Sequence, residues 1–263
     1  MSEAPHLLTE RVGHVLVITM NRPESRNALS FEMTSLLEKA WDEINENDDI
    51  RCAVFTGAGG NFCAGADLKM MNQKSTEDQF KEGGHDPAYV KSLLKGFTLN
   101  KPLVAAVEGF AIAGGTELLQ ATDIRVAGKS AIFGVAEVKL GLFPLGASTI
   151  RLRRQIPYTI AADMLLTGRT ITAEEALNYG LIGYMTEDGG ALEKAMQIAE
   201  RIAKNGPIAV QGVLKALRDT ECVPEQKALP IEAAIGMKVF ASEDAKEGPR
   251  AFVEKRKPVF KGR

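Results

Sequence analysis

The sequence predicts an α/β fold built from repeated strand–turn–helix units, followed by a helical C-terminal region. Three observations support this prediction. A β-branched stretch precedes an amphipathic helical pattern, two apolar strands each run into a glycine-rich turn, and the chain beyond Gly190 is mostly helical. With 263 residues, 45% hydrophobic and 25% charged, the chain can bury a core without disulfides or a structural metal.

The N-terminal elements follow from two periodicities. Residues 14–21 are rich in β-branched side chains and predict a strand, with residues 6–13 as its hairpin partner and the turn at Val12–Gly13. From Ser30, a typical N-cap, apolar residues recur at helical spacing. These are Met33, Leu36, Leu37, Ala40, Trp41 and Ile44. Residues 51–57 then predict a short buried strand that ends in glycine.

The middle of the chain continues the alternation. We predict a short helix over residues 89–99, a second apolar strand from Pro102, and a helix over residues 116–123. Residues 123–128 and 131–134 predict further short strands.

The last third of the chain predicts helices. Thr172 and Glu175 have the spacing of a capping box that opens a helix ending at Gly180. Beyond Gly190 we expect helices interrupted at Gly206–Pro207, Pro224 and Pro230.

Charge and cysteine usage exclude several classes of protein. The 32 Lys and Arg against 34 Asp and Glu give a net charge of −2, which offers no general attraction to nucleic acid or acidic lipid. Cys52, Cys63 and Cys222 form no CxxC pair, so we expect neither a disulfide framework nor a metal site. No signal peptide is visible, and the most apolar stretch, residues 103–115, contains Glu108 and is too short to span a membrane. We therefore expect a soluble cytoplasmic protein with no nucleic-acid or membrane partner.

Two glycine-rich turns are the first candidates for a site. They cover residues 57–70 and 108–123, and each presents backbone N–H groups with little side chain around them. A single turn of this kind is more often a plain tight turn. Neither matches GxGxxG or GxxxxGK[ST], which disfavours dinucleotide and nucleoside-triphosphate sites. Two such turns together could point two N–H groups at one oxygen and form an oxyanion hole.

Two glutamates lie in apolar surroundings. Glu117 follows Gly114–Gly115 and is flanked by Leu118 and Leu119, and Glu137 is the only acid of AIFGVAEVKLGLFP. An acid in the first turn of a helix also interacts favourably with the helix dipole. The spacing alone therefore leaves both a structural and a catalytic role open for each.

These segments together resemble one known family. GGNFCAGADLKM, EGFAIAGGTELLQATDIRVA and FGVAEVKLGLFPLGAS are similar to sequences of the crotonase (enoyl-CoA hydratase/isomerase) family. The resemblance runs from NRPESRNALS to EGPRAFVEKRKPVF and covers nearly the whole chain. Within the family, KPLVAAVEGFAIAGGTE, TDIRVAG and RQIPYT resemble actinobacterial hydratases of steroid side-chain degradation.

The resemblance implies a fold and an assembly. Residues 1–195 would form a crotonase-like spiral of ββα turns that holds an acyl-CoA site. Residues 196–263 would form a C-terminal helical region for oligomerisation and pocket cover. A homotrimer or homohexamer is expected.

The resemblance also implies the site residues of an enoyl-CoA hydratase. Glu117 and Glu137 would be the catalytic pair, and the backbone N–H groups of Ala66 and Gly114 would hold the thioester oxygen. No metal or separate cofactor is expected, because coenzyme A is part of the substrate. The CoA- and substrate-binding residues would be Asn27, Ala28, Leu29, Ala64, Asp67, Leu68, Lys69 and Leu145.

Several residues depart from the family pattern. Ala113 replaces the first glycine of GGG, FGVAE stands where many hydratases have FGQPE, and FPLGAS, with Leu145, stands where many have IPGAGG. Together with Leu142 and Phe143, these changes predict a more apolar acyl pocket suited to bulky or steroid side-chain acyl groups.

Two alternatives remain open at this point. The chain could be an enoyl-CoA isomerase or another crotonase-type lyase, or a non-catalytic acyl-CoA-binding protein. The presence of both Glu117 and Glu137 favours hydration, because water addition needs two acid/base positions. Cys63, next to the first turn, is expected to be a core residue.

Overall fold

The computed structural model describes residues 4–67 and 86–263. The strands that it shows in these ranges are β1 (Leu7–Val12), β2 (Val15–Met20), β3 (Cys52–Gly57), β4 (Leu103–Val107), β5 (Phe110–Ile112), β6 (Ile124–Gly128), β7 (Ile132–Gly134), β8 (Thr170–Thr172) and β9 (Tyr184–Thr186).

These strands form two sheets. The larger has the order β1-β2-β3-β4-β6-β9, with β1 antiparallel to β2 and every other neighbouring pair parallel. In the smaller sheet, β7 lies between a parallel β5 and an antiparallel β8. Parallel neighbours require crossover connections, which agrees with the strand–turn–helix units predicted from the sequence.

The helices of the described ranges are α1 (Phe31–Glu46), α2 (Gly114–Gln120), α3 (Ser148–Gln155), α4 (Tyr158–Thr167), α5 (Ala173–Tyr179), α6 (Ala191–Ala203), α7 (Pro207–Asp219), α8 (Glu225–Phe240) and α9 (Glu243–Val253). Short 3₁₀ turns occur at Pro23–Ser25, Lys91–Leu93 and Glu137–Leu140. None of these helices combines the length and apolar composition that a membrane-spanning segment requires.

The larger sheet is covered on both faces. On one face, Trp41 of α1 meets Phe55 of β3 edge-to-face at 5.5 Å, and Phe55 meets Phe62 in the same way at 5.2 Å. On the other, Val54 and Val104 belong to a second apolar cluster with the buried face of α6. Strands buried on both faces are expected in a parallel sheet and explain the continuous apolar runs of β3 and β4.

The N-terminal predictions are confirmed. The β1–β2 hairpin forms, with its turn at Gly13 and His14, one residue later than predicted, because Val12 still pairs with Val15; Gly13 has a φ of +60°. Helix α1 begins after Ser30, whose Oγ accepts a hydrogen bond from the Met33 N–H at 3.1 Å. The capping box of Thr172 and Glu175 also forms as predicted.

Other predictions are wrong. Residues 89–99 form a single 3₁₀ turn instead of a helix, because Leu94 and Gly96 adopt left-handed conformations. Pro230 lies inside α8 instead of interrupting it. Strand β5 was not predicted, and α2 begins at Gly114 and ends at Gln120. The proposed boundary between residues 195 and 196 falls inside α6, and it stays a prediction.

Candidate active site

The two glycine-rich turns lie side by side. Strands β3 and β4 are parallel neighbours, so their carboxyl ends meet at the same edge of the sheet. Beyond that edge, the Cys63 N–H donates to the Phe110 carbonyl at 2.8 Å, and the Ile112 N–H donates to the Cys63 carbonyl at 2.9 Å. A Cβ on Gly115 would lie 2.2 Å from the Cys63 carbonyl oxygen, so only glycine fits there.

This contact brings two backbone N–H groups close together. A Cβ built on Gly65 would lie 3.4 Å from the Gly114 nitrogen, and one built on Gly114 would lie 3.9 Å from the Ala66 nitrogen. Gly65 has a φ of +94°, which a larger residue would adopt only with strain. The absence of both side chains leaves open the space next to the two nitrogens.

Neither of these N–H groups is used by the described part of the protein. Leu29 forms a parallel bridge with Ala66, in which the Leu29 N–H donates to Gly65 and the Leu29 carbonyl accepts from Asp67, so the Ala66 N–H points away from Leu29. Gly114 is the first residue of α2, and the first N–H groups of a helix have no partner within it. Within residues 4–67 and 86–263, neither N–H donates a backbone hydrogen bond.

Ala113 produces the sharp reversal between β5 and α2. Its φ of +52° and ψ of −123° lie in a region that favours glycine, and its N–H donates to the Gly134 carbonyl at 2.8 Å. Such a conformation costs a non-glycine residue about 1–3 kcal/mol. The strain is retained at the residue that sets the direction of the Gly114 N–H.

Glu117, in the first turn of α2, is almost completely buried. Its Oε1 accepts from the Ser148 N–H at 3.4 Å, and a Cβ on Gly146 would lie 2.2 Å from its Oε2. Burial, and secondarily the charge of Glu137, raises the pKa of Glu117 to about 7, although hydrogen bonds from Ser148 and Gly146 oppose the rise.

Glu137 begins the 3₁₀ turn that follows β7 and is half-buried. Burial raises its pKa. Its Oε2 is buried and, among the residues that the structure describes, has no hydrogen-bond partner. The two glutamates predicted as a pair are therefore near enough to interact, and one carboxylate oxygen is left for a ligand or water.

Asn27, predicted to bind substrate, ties loops of the protein together. Its side chain is fully buried, and its Nδ2 donates to the carbonyls of Ala58 at 2.9 Å and Asn61 at 2.7 Å. Its Oδ1 accepts from the Arg22 N–H at 2.8 Å. The side chain is thereby satisfied within the protein and shapes the turn before the first glycine-rich loop.

The other predicted CoA-binding residues surround the same loop. The Ala28 carbonyl and the Asp67 carboxylate both accept from the Arg22 guanidinium, and the Ala64 N–H donates to the Arg26 carbonyl. Leu29 is bonded to Gly65 and Asp67 as above. Leu68 and Lys69 lie outside the described residues.

Leu145 lies in the segment after Glu137, two residues before Ala147, the N-cap of α3. Its carbonyl accepts a hydrogen bond from Lys95 Nζ at 2.7 Å, and the same Nζ donates to the Pro87 carbonyl at 2.7 Å. Lys95 therefore fixes the loop that carries Gly146 towards Glu117.

Four residues around Glu117 were missed by sequence reasoning. They are Lys95, Gly146, Ser148 and Arg151. Gly146 and Ser148 belong to FPLGAS, the segment that differs from the family pattern. That difference was the one sequence feature that could have pointed to them.

Cys63 is a core residue, as predicted. Its side chain is fully buried, and burial raises the pKa of its thiol to about 12. The reactive thiolate is therefore not populated at neutral pH. No group of three or more His, Cys, Asp and Glu in residues 4–67 and 86–263 could hold a metal ion.

Comparisons with known proteins all point to the same family. The pattern of the enoyl-CoA hydratase/isomerase family matches residues 10–263. The chain is 58% identical to the enoyl-CoA hydratase EchA19 of Mycobacterium tuberculosis, across 100% of this chain and 99% of that protein. It is 37% identical to the 2,3-dehydroadipyl-CoA hydratase of Escherichia coli, across 98% of this chain and 99% of that one.

Solved structures agree with the sequence matches. The crystal structure of an enoyl-CoA hydratase from Mycobacterium tuberculosis H37Rv superposes with a TM-score of 0.91 at 37% identity, covering 99% of this chain and 100% of that one. The predicted crotonase fold is confirmed. This chain belongs to the enoyl-CoA hydratase/isomerase family of enzymes.

Proposed function

We propose that this enzyme is an enoyl-CoA hydratase, which adds water across the 2,3-double bond of a 2-enoyl-CoA thioester. The observation that carries the proposal is the convergence of two unused N–H groups, of Ala66 and Gly114, near two interacting carboxylates, Glu117 and Glu137. The names of the relatives support the same reaction.

The N–H pair suits the charge that develops in this reaction. Attack of water at C3 moves electron density onto the thioester oxygen, giving an enolate-like transition state. Two preorganised N–H donors stabilise that negative charge. Losing one such donor typically raises the activation barrier by about 3–4 kcal/mol. Because the Ala66 and Gly114 donors belong to the backbone, their direction is set by the sheet and by Ala113.

We assign the two carboxylates complementary roles. Glu117 orients the water and accepts its proton while the oxygen bonds to C3, and Glu137 supplies the proton that bonds to C2. Each acid/base position typically contributes about 10²–10⁴-fold. A pKa near 7 allows Glu117 to exchange protons at neutral pH. Water addition requires no redox change overall, so the proposal includes no metal or separate cofactor.

We further propose a preference for bulky acyl groups, including steroid side chains. The segment after Glu137 exposes apolar side chains, with Leu140 60% and Phe143 66% exposed. Apolar side chains next to a site are favourable partners for a large acyl group. Val135 contributes only indirectly, because it is buried in the core.

The test measures product masses from short, long and steroid-sized 2-enoyl-CoAs. We expect a gain of one water, with the highest kcat/KM on bulky substrates. Comparable kcat/KM for crotonyl-CoA and every bulkier substrate would contradict the acyl preference. A product of unchanged mass that is a positional isomer would contradict hydration and identify an isomerase, and absence of any reaction would indicate a binding protein.

A pair of glycine variants tests the N–H pair. In Gly114→Ala, the added Cβ would enter the open space and meet Leu29 Cδ1 at 3.1 Å, a contact that the leucine side chain can relieve. We expect a loss in kcat of about 10²-fold with little change in stability. In Gly115→Ala, the Cβ meets the Cys63 backbone, so this control should lose stability first. Unchanged kcat in Gly114→Ala would contradict the assignment of the N–H pair.

We also propose that the C-terminal helices mediate formation of a homotrimer or homohexamer. Helices α7 and α8 enclose a groove of about 600 Å³ beside Leu217, 67% exposed, and Phe240, 75% exposed. Light scattering should give three or six times 28.4 kDa. Leu217→Lys should lower that mass and Leu192→Lys, on α6, should not. A monomeric wild-type protein would contradict the proposal.

A further inference from the structure

A buried chain of two polar side chains, Ser148 and Gln120, leads away from Glu117. Gln120 is 2% exposed and Ser148 is fully buried. Gln120 Nε2 donates to Ser148 Oγ at 2.9 Å, and the Ser148 N–H donates to Glu117 Oε1 at 3.4 Å, with the Ser148 hydroxyl next to the same carboxylate. Gln155 Nε2 donates to the backbone carbonyl of Gln120 at 2.8 Å, so Gln155 bonds to the main chain of this residue and not to its side chain.

The donor order along this chain follows from the orientation of the Gln120 amide, which presents Nε2 to Ser148 and leaves Oε1 buried without a partner among the described residues. An amide nitrogen can only donate, so Ser148 Oγ is the acceptor of the bond from Gln120. A hydroxyl has one hydrogen, which therefore remains for the carboxylate of Glu117. Together with the Ser148 N–H, this gives two donors from one residue to one carboxylate.

We infer that Ser148 and Gln120 are positioning residues for the proposed hydration, holding the Glu117 carboxylate in its ionised form and in a fixed orientation for accepting a proton from water. The inference rests on the proposed function. Hydrogen bonds to charged groups are stronger than those between neutral groups, and inside a protein each bond of a chain polarises the next. Gln120 thus acts on Glu117 only through Ser148.

Two other charged groups, Glu137 and Arg151, act on Glu117. Glu137 opposes the ionisation of Glu117, while Arg151 on α3 favours it. The Arg151 guanidinium donates to the carbonyls of Leu93 and Leu94, which keeps it in place independently of Ser148. Removing the Ser148 hydroxyl therefore leaves these charged groups in place, and it removes the hydroxyl next to Glu117 together with the bond that this hydroxyl accepts from Gln120.

The test compares Ser148→Ala, Gln120→Met and the double variant with the wild type. The readout is the pH dependence of kcat for water addition. Without the hydroxyl, the ionised form of Glu117 is less favoured, so the acid limb should move to higher pH by about one unit in Ser148→Ala. Gln120→Met should shift it less, and the double variant should not exceed Ser148→Ala, because both act on the same bond.

Ser92→Ala is the matched control. Ser92 is also buried, at 4% exposure, and its side chain lies outside the chain to Glu117. We expect it to leave the acid limb where it is in the wild type. A purely structural role of Ser148 would lower stability without moving the pH profile.

A second readout separates failure of this inference from failure of the proposed function. Carboxyl ¹³C NMR follows the titration of Glu117, identified by the signal lost in Glu117→Gln, and needs no turnover. A wild type that adds no water would refute the proposed function, while the titration would still test the network. If Ser148→Ala does not fold, Gln120→Met tests the chain from its other end. Wild-type titration midpoints in the folded variants would overturn the inference.

Discussion

The two glutamates of the site occupy different surroundings. Glu117 is enclosed on α2, with donors from Ser148 and the open backbone of Gly146 against its two oxygens. Glu137 is half-buried at the start of a 3₁₀ turn and has a buried Oε2 with no partner among the described residues. The protein thus holds one carboxylate with its own groups, whereas the other keeps one buried oxygen without a partner in the described part of the chain.

The largest expected effect comes from neutralising each carboxylate in turn. Glu117→Gln and Glu137→Gln should each lower kcat by about 10²–10⁴-fold, since each removes one acid/base position. The kcat of the double variant should be about equal to that of the less active single variant, because the effects of residues that act as a unit are not additive. Steady-state rates of water addition measure all three.

Glu187→Gln serves as the control, because this exposed carboxylate pairs with Lys129 on the surface. Its kcat should match that of the wild type. Near-wild-type turnover in both Glu117→Gln and Glu137→Gln would rule out the assigned roles.

A smaller loss is expected when the surroundings of Glu117 alone are changed. In Gly146→Ala, a Cβ would lie 2.2 Å from Glu117 Oε2, so the carboxylate must move. We expect kcat to fall by roughly 10²-fold, because small misplacements of a catalytic group are costly. Gly183→Ala is the control, since its Cβ meets only one atom, at 3.9 Å. Equal rates in both variants would show that the enclosure of Glu117 does not matter.

The difference in burial between the two glutamates should also affect how the free energy of unfolding depends on pH. Between its unfolded pKa of 4.5 and its folded value of about 7, Glu117 holds a proton that the unfolded chain releases, so the free energy of unfolding falls as pH rises through this window. Glutamine does not titrate, so the free energy of unfolding of Glu117→Gln should not fall in this way. Relative to the wild type, it should rise by on the order of 3 kcal/mol across the window.

Glu137→Gln should show the same sign with a smaller amplitude, because Glu137 is only half-buried. Urea unfolding at pH 5 and pH 8 provides the measurement. Parallel curves for Glu117→Gln and the wild type would mean that burial does not raise the pKa of Glu117.

The smallest effect concerns the loop that contains Leu145 and lies between Glu137 and Ser148 in the sequence. Lys95→Met removes the donor that binds the Leu145 and Pro87 carbonyls, each at 2.7 Å. A hydrogen bond from a charged group contributes about 1.5 kcal/mol or more, so we expect kcat to fall by roughly tenfold. Lys39→Met, on α1, is the control, and an unchanged kcat in Lys95→Met would separate this loop from the geometry of Glu117.

Local patterns predicted much of this molecule. The β1–β2 hairpin, α1 with its Ser30 cap and the capping box of Thr172 depend on residues close together in sequence, and all three are confirmed. The helix over residues 89–99 was wrong, because the left-handed Leu94 and Gly96 are not visible as a break in apolar spacing.

The site required more than local pattern. Glu117 and Glu137 were chosen from the sequence, but their environments depend on Gly146 and Ser148, which reach Glu117 from another part of the chain. Sequence spacing shows no such contact, so the difference between the two carboxylates could be seen only in the folded structure.

The pairing that creates the open N–H groups also has a consequence for folding kinetics. Leu29 must find Ala66, and Cys63 must find Ala111, before the two donors can lie next to each other. Both contacts close long loops, and such contacts form slowly because chain entropy is lost before they contribute stability. During refolding, catalytic competence should therefore appear later than helical circular dichroism. A newly made chain can contain every catalytic side chain and still have no active site.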